Sequence, residues 1–188
     1  MKFNIEKEEL VFNDFFQITK ATITHDSFQP EKDIKATRLS LNKGNAVGIL
    51  IYEKDSDSFL LTKQFRYPTS QNGHPWMTEI PAGMVDEGES PETTAKRETM
   101  EELGYSIKEL THIGTYYSSP GTQTEYVYMY YAEVTSEDKV KQGGGLDNES
   151  EDIQLIKLPS EEIKTFLPKI NDFKTMVAFQ WYLLHKAL

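Results

Sequence analysis

The sequence predicts an α+β fold, with a mixed β-sheet lying between helices and a small β module in front of it. Three observations lead there. Runs of β-branched and aromatic residues recur along most of the chain, an acidic helix with clear start and stop signals interrupts them, and a helix with a broad apolar face closes the chain. At 188 residues, 38% hydrophobic and 27% charged, the chain suits one globular domain of ordinary size with room for a small extra module.

The elements follow in order. "VFNDFFQITKATIT", from Val11 to Thr24, has the composition and partial alternation of a strand or hairpin. Residues 1–43 are expected to form the N-terminal β module, and residues 44–188 the main domain. Ala46 to Tyr52 and Phe59 to Phe65 are apolar runs joined by the polar turn "EKDSDS", which reads as a β-hairpin. A further strand ends near Ile80. After the acidic helix, two strands flank Ser118 to Glu125, and "IQLIKLP" supplies another. The three glycines of "KQGGGLDNESED" read as a flexible connection. "SEEIKTFLPK" and "DFKTMVAFQWYLLHKAL" are expected to be helical, the second burying Met176, Val177, Phe179, Trp181, Leu183 and Leu184. The predicted architecture is therefore an α/β/α sandwich.

Composition narrows the function. A formal net charge of −10 without any run of Lys or Arg argues against a nucleic-acid groove, although an acidic chain still binds anions through metal ions. Without cysteine there is no disulfide, no thiolate nucleophile and no Cys-type zinc site. "MKFNIEKEELVFNDFF" breaks its apolar residues with acids, unlike a signal peptide, and no apolar run approaches the roughly 20 residues of a membrane helix. A soluble, cytoplasmic protein is expected. His25, His74, His112 and His185 are scattered without metal spacing, and no serine occupies a nucleophile elbow. Trp76, Phe15 and Phe16 have the shape to stack on a base, but such aromatics more often belong to a core.

The acidic helix carries the chemistry. Ser90 is a hydroxyl N-cap, Pro91 suits the first helical position, and Gly104 can enter the left-handed region that ends a helix. Spacings of three and four residues gather Glu98, Glu101 and Glu102 on one side. Like charges so placed oppose the helix by a few tenths of a kcal/mol per pair, about 0.2–0.5, and the C-terminal end of the dipole disfavours them further. A hard divalent cation would offset both effects. The alternative is a solvated acidic face partnered by Lys96 and Arg97. Gly83 and Gly88 allow the backbone a tight excursion just before the helix.

The segment meets one pattern: Gly83, five residues, Glu89, seven residues, Arg97 and Glu98, two residues, Glu101 and Glu102, one residue, Gly104. This resembles the signature of the Nudix hydrolases, which cleave a nucleoside diphosphate linked to another group. Thr99 and Tyr105 stand where the family usually has aliphatic residues. The resemblance implies the Nudix fold and a Mg²⁺ or Mn²⁺ cofactor. It also implies that Glu98, Glu101, Glu102 and the carbonyl of Ala82 are metal ligands, oriented by Glu89 and Arg97, with Glu102 central to catalysis.

Outside the signature, Pro120 lies fifteen residues beyond Tyr105, as in the ADP-ribose pyrophosphatase branch, and the related GDP-mannose pyrophosphatases carry a similar stretch. By that resemblance Arg66 in "KQFRYP", Ser119 and Glu125 contact substrate, while Thr122 replaces a glycine common to both groups. The plainer readings are a charge at a strand end for Arg66 and a turn between strands for Ser119 and Glu125. Glu79 is a further candidate, for metal-bound water or for a structural hydrogen bond. "ESEDI" resembles the mobile loop of the branch, placing the catalytic base at Glu149 and an extra metal contact at Glu151, with the choice between these two acids open.

The resemblance further implies a homodimer that exchanges its N-terminal module. The expected activity is hydrolysis of ADP-ribose to AMP and ribose 5-phosphate, with GDP-mannose or another nucleoside diphosphate sugar as the alternative. A non-catalytic nucleotide-sugar sensor is the reading from another class, and it should have lost acids that are all retained here.

Overall fold

The structure is a computed structural model that describes every residue except 30, 147, 149, 187 and 188. The chain forms two compact units. One comprises Met1–Asn45 with Tyr117–Tyr126, and the other Ala46–Tyr116 with Val127–Leu188.

The first unit is built on an antiparallel sheet, ordered β1 (Phe3–Asn13), β2 (Gln17–Asp26) and β3 (Asp33–Asn42). Register shifts between Ile5 and Lys7 and between Leu10 and Phe12 mark bulges in β1. The run from Val11 to Thr24, read from sequence as a strand or hairpin, belongs to the hairpin of β1 and β2, with the turn at Asp14–Phe16, where the Asp14 N–H donates to the Phe16 carbonyl at 3.1 Å. Tyr117–Tyr126 joins this unit through backbone bonds on either side of Leu41, whose N–H donates to Thr122 at 2.9 Å and whose carbonyl accepts from Thr124 at 3.0 Å. Much of the unit's apolar surface is uncovered, including Phe3, Leu10, Val11, Phe12, Phe15 and Leu39.

The second unit is a mixed sheet between helices, as expected. β4 (Ala46–Glu53) lies at its centre. It runs antiparallel to β5 (Ser58–Phe65), which pairs antiparallel with β10 (Gln154–Pro159), and parallel to β9 (Tyr126–Val134), beyond which lies β8 (Thr111–Tyr117). Two short strands extend the pairing: β6 (Trp76–Glu79) on β5 and β7 (Ala82–Met84) on β4. Strand alternation splits the core into two layers. Val47, Ile49, Ile51, Leu60, Tyr130 and Ala132 pack under α2 (Pro91–Leu103) with Ala95 and Leu103, and Leu50, Phe59, Leu61 and Met129 pack under α4 (Phe173–His185) with Ala178 and Phe179. β4 and β9 can be parallel because the α2 crossover lies between them.

Two local expectations need correction. "SEEIKTFLPK" forms one helical turn, α3 (Ile163–Phe166), between 3₁₀ turns at Ser160–Glu162 and Leu167–Lys169, because Pro168 has no N–H to continue a helix. The buried face of α4 runs through Thr175, Ala178 and Phe179, with Tyr182 edge-on to Phe59 at 4.8 Å, whereas Leu184 is 69% exposed. The strand expected to end near Ile80 is β6, whereas the single turn α1 (Tyr67–Ser70) and the strand β7 are too short for a periodicity to reveal.

A buried acid anchors the start of the chain that leaves α2. Glu53 is fully buried and accepts from the Tyr105 hydroxyl at 2.5 Å, from Ser56 and from Lys157. Burial pushes its pKa up, but these donors outweigh it and hold the carboxyl below its ordinary value. The Tyr105 position therefore carries a polar anchor as well as packing. Replacing Tyr105 with Phe leaves a buried acceptor one donor short, and urea denaturation is expected to show a loss of roughly 1–3 kcal/mol. Because the folded pKa is depressed, Glu53 stabilises the fold above its unfolded value of about 4.3 and loses that contribution as pH falls through the lower folded value. The wild-type advantage over Tyr105→Phe should shrink in that acid window, and an advantage constant down to pH 2 would contradict the assignment.

Candidate active site

The site grows out of α2. The Ser90 Oγ accepts the Thr93 N–H at 3.2 Å, Pro91 opens the helix, and Gly104 closes it at φ 80°. Between them, Glu102 is 2% exposed and Glu98 is 9% exposed, so the polar stripe legible in the sequence faces the protein interior. β7 runs against this stripe. The Ala82 N–H donates to Glu102 Oε2 at 3.3 Å, and a Cβ on Gly83 would fall 2.0 Å from the Glu98 carboxyl carbon. No side chain fits at Gly83 unless Glu98 leaves.

Arg97 organises the acids. Its Nη1 donates to Glu98 Oε1 at 2.8 Å and to Glu101 Oε2 at 3.0 Å, while Nη2 reaches Glu89 Oε2 and the Met84 carbonyl, each at 3.2 Å. Thr94 Oγ1 fixes the same Glu89 oxygen at 2.7 Å. That hydroxyl, and then Arg97, lower the Glu89 pKa. Burial lowers the Arg97 pKa, but the surrounding acids outweigh it and raise the value overall. Glu98 and Glu102 respond the other way. Burial first, and then Glu101 and Glu151, push Glu98 up to about 7 despite Arg97. Burial, followed by Glu98 and Glu151, raises Glu102 well above the ordinary value, with Arg66 opposing and Glu79 adding to the rise.

A second group of charges neighbours the first. Glu79, at the end of β6, accepts from Arg66 Nε at 2.8 Å and from Lys174 Nζ at 3.3 Å, and Lys174 also binds Asp172, the N-cap of α4, at 2.7 Å. Beside it is a cleft of about 320 Å³ lined by Gln64, Phe65, Arg66, Trp76, Ser150, Glu151 and Asp152. Trp76 is 57% exposed and meets Phe65 edge-on at 5.6 Å, so it lines an open cleft instead of filling a core. Phe15 and Phe16 are likewise exposed, in the other unit. Lys174 and the Phe65 and Trp76 pair have no local pattern to announce them; only the fold brings Lys174 to Glu79 across 95 residues.

The second unit thus brings together Arg66, Ala82, Glu89, Arg97, Glu98, Glu101, Glu102 and Glu151. Ser119 and Glu125 belong to the first unit, where the Ser119 hydroxyl bonds Thr122 and the 6%-exposed Glu125 pairs with Lys43 at 2.7 Å. Glu149 lies outside the described residues. Among the described residues no three acids or histidines are gathered tightly enough to form a ready metal cage. The donor chemistry nevertheless suits a hard cation. The potential ligands are all oxygens, and Glu98 and Glu102, the most buried of these carboxylates, lack enough positive charge to hold their pKa values down.

Residues 42–179 match the family model described as the NUDIX domain. The chain is 32% identical to an ADP-ribose pyrophosphatase of Haemophilus influenzae over 186 residues, covering 96% of this chain and 85% of that protein. It is 31% identical to a GDP-mannose pyrophosphatase of an Enterobacter species, covering 96% and 95%. A GDP-mannose pyrophosphatase of Yersinia enterocolitica is 32% identical, covering 97% and 95%.

The close approach at Gly83 gives a direct test. Gly83→Ala must displace Glu98 without removing any charged group, and it is expected to lower turnover roughly 10- to 100-fold while far-UV circular dichroism stays unchanged. Wild-type turnover in this variant would show that the Glu98 position is unimportant.

Proposed function

This chain belongs to the NUDIX family and is a Nudix hydrolase, and from that premise we propose that it hydrolyses ADP-ribose to AMP and ribose 5-phosphate. Water adds to one phosphorus of the diphosphate, the bridging P–O bond breaks, and the second phosphate leaves with the bridging oxygen. The observation that carries this reading is the buried pair Glu98 and Glu102 beside Gly83, next to the cleft that holds Arg66 and Glu151.

In this proposal Glu98, Glu101, Glu102 and the Ala82 carbonyl hold Mg²⁺ or Mn²⁺, with Glu151 as a further ligand. A cation bound there would supply charge neutralisation of the diphosphate and a lowered pKa for the attacking water. Arg97 and Glu89 position the carboxylates. Arg66 exchanges part of its pairing with Glu79 for a substrate oxygen, a change that suits a guanidinium with several donors. Glu149 is assigned as the base, with Glu151 as the other candidate. Ser119 and Glu125 are assigned to the substrate. The exposed apolar residues of the first unit support a homodimer in which that unit finds its partner surface on a second chain. Such an enzyme is assigned to the cytoplasm, where it would meet nucleotide sugars.

The second reading, GDP-mannose as substrate, rests on relatives of that name at nearly the same identity. A panel of ADP-ribose, GDP-mannose and other nucleotide sugars with Mg²⁺, resolved by chromatography, separates the two. AMP is expected to form fastest from ADP-ribose, and faster release of GMP from GDP-mannose would transfer the assignment. In the same assay Glu102→Gln should reduce turnover by about 100-fold or more, and retained activity would contradict the metal assignment. Sedimentation should return the mass of two chains, with a monomer at micromolar concentration contradicting the dimer.

A further inference from the structure

We propose that Gly143–Gly145 is a rigid clasp that ties Glu151 to the backbone of α2, with Gly145 as the positioning residue. The inference rests on the reading of Glu151 as part of the metal site.

A helix ends with carbonyls that have no intrahelical partner. In α2 the Met100 carbonyl accepts from Gly104 at 3.1 Å, closing the left-handed cap. The next two carbonyls, those of Glu101 and Glu102, accept from Gly145 at 3.1 Å and from Gly144 at 2.8 Å. The triglycine run, expected from sequence to be a flexible connection, is therefore hydrogen-bonded to the residues that carry two of the acids. Val140 and Lys141 both donate to the Gly104 carbonyl, at 2.9 and 3.2 Å, which pins the chain before the glycines.

Close packing explains why glycine stands here. A Cβ on Gly143 would lie 2.5 Å from the Leu103 carbonyl carbon, and one on Gly104 would lie 2.1 Å from the Lys141 oxygen, so two backbones meet without room for a side chain. All three clasp glycines have positive φ. Beyond the clasp the chain returns on itself. The Ile153 N–H donates to the Gly144 carbonyl at 3.0 Å, and the Leu146 N–H donates to Glu151 Oε2 at 3.2 Å. A Cβ on Gly145 would fall 2.6 Å from the Glu151 Cβ and 2.8 Å from its Oε2. Glu151 is thus held against Gly145, and Gly145 against the Glu101 carbonyl. Its position follows the α2 backbone, although fifty residues separate it from that carbonyl in the chain.

The test is Mn²⁺ binding followed by electron paramagnetic resonance without substrate, in the wild type, Gly145→Ala, Glu151→Gln and the double variant. Gly145→Ala and Glu151→Gln should each raise the Kd about 10-fold, and the double variant should bind no more weakly than Glu151→Gln alone. Gly73→Ala, at a positive φ with open space around it, controls for backbone strain and should bind as the wild type does.

Wild-type affinity in Gly145→Ala, or losses that multiply in the double variant, would overturn the clasp. Normal binding by Glu151→Gln would overturn the reading of Glu151 itself and the clasp with it. One glycine inserted after Gly145 lengthens the strap without adding a side chain, so it provides the same test if Gly145→Ala fails to fold. Independently, the Gly144 and Gly145 amides should exchange hydrogen much more slowly than free peptide, and free-peptide rates would overturn the proposal.

Discussion

Two carboxylates removed from water near the negative end of a helix dipole are the constraint on which the rest of this structure depends. Glu98 and Glu102 are almost fully buried, they repel one another, and the α2 dipole opposes them. Arg97 offsets part of this by bonding Glu98 and Glu101 at once, while the Ala82 N–H gives Glu102 a single donor at 3.3 Å. Both pKa values stay raised, so the folded chain keeps acids that favour an added positive charge. A structure selected only for stability would have replaced them with apolar residues. Their retention within a Nudix signature connects the energetic cost to the chemistry.

The fold supplies the close approaches that this arrangement needs. β7 passes so near the Glu98 carboxyl group that a side chain at position 83 would displace it, and the strap at residues 143–145 passes so near the end of α2 that a Cβ at Gly143 would meet backbone. From the sheet, β7 meets the carboxyl groups of Glu98 and Glu102, and from the loop after β9 the strap meets the main-chain carbonyls of Glu101 and Glu102. Layered packing on α2 and α4 holds the sheet rigid between them. The Asp172–Lys174–Glu79 chain then links the start of α4 to Arg66. Every helix that covers this sheet for more than three turns thus contributes a polar group to the neighbourhood of the cleft.

Much of this is legible in the sequence because it is local. Ser90, Pro91 and Gly104 delimit α2 by the chemistry of its own ends, and the spacing of Glu98, Glu101 and Glu102 fixes their common side. The hairpin of β4 and β5 is readable from two apolar runs and a polar turn. What escapes depends on contacts distant in sequence. Nothing near Lys174 signals that it faces Glu79, and nothing near Gly144 signals that its N–H caps Glu102. Glycine composition suggests mobility, whereas tertiary contact uses the same residues for fit. β1 is obscured by the acids alternating through "NIEKEEL", which belong to a sheet with little buried surface. Hydrophobicity alone assigns Leu184 to the buried face, but the helix turns it to solvent.

The α2 acids are proposed as a cation site. That assignment is tested most directly by diffraction from crystals soaked in Mn²⁺, with anomalous data collected near the manganese edge. An anomalous peak is expected, bounded by the carboxylates of Glu98 and Glu102 and the Ala82 carbonyl. Well-ordered crystals saturated with Mn²⁺ but lacking a peak there, or showing manganese bound only to surface acids elsewhere, would contradict it.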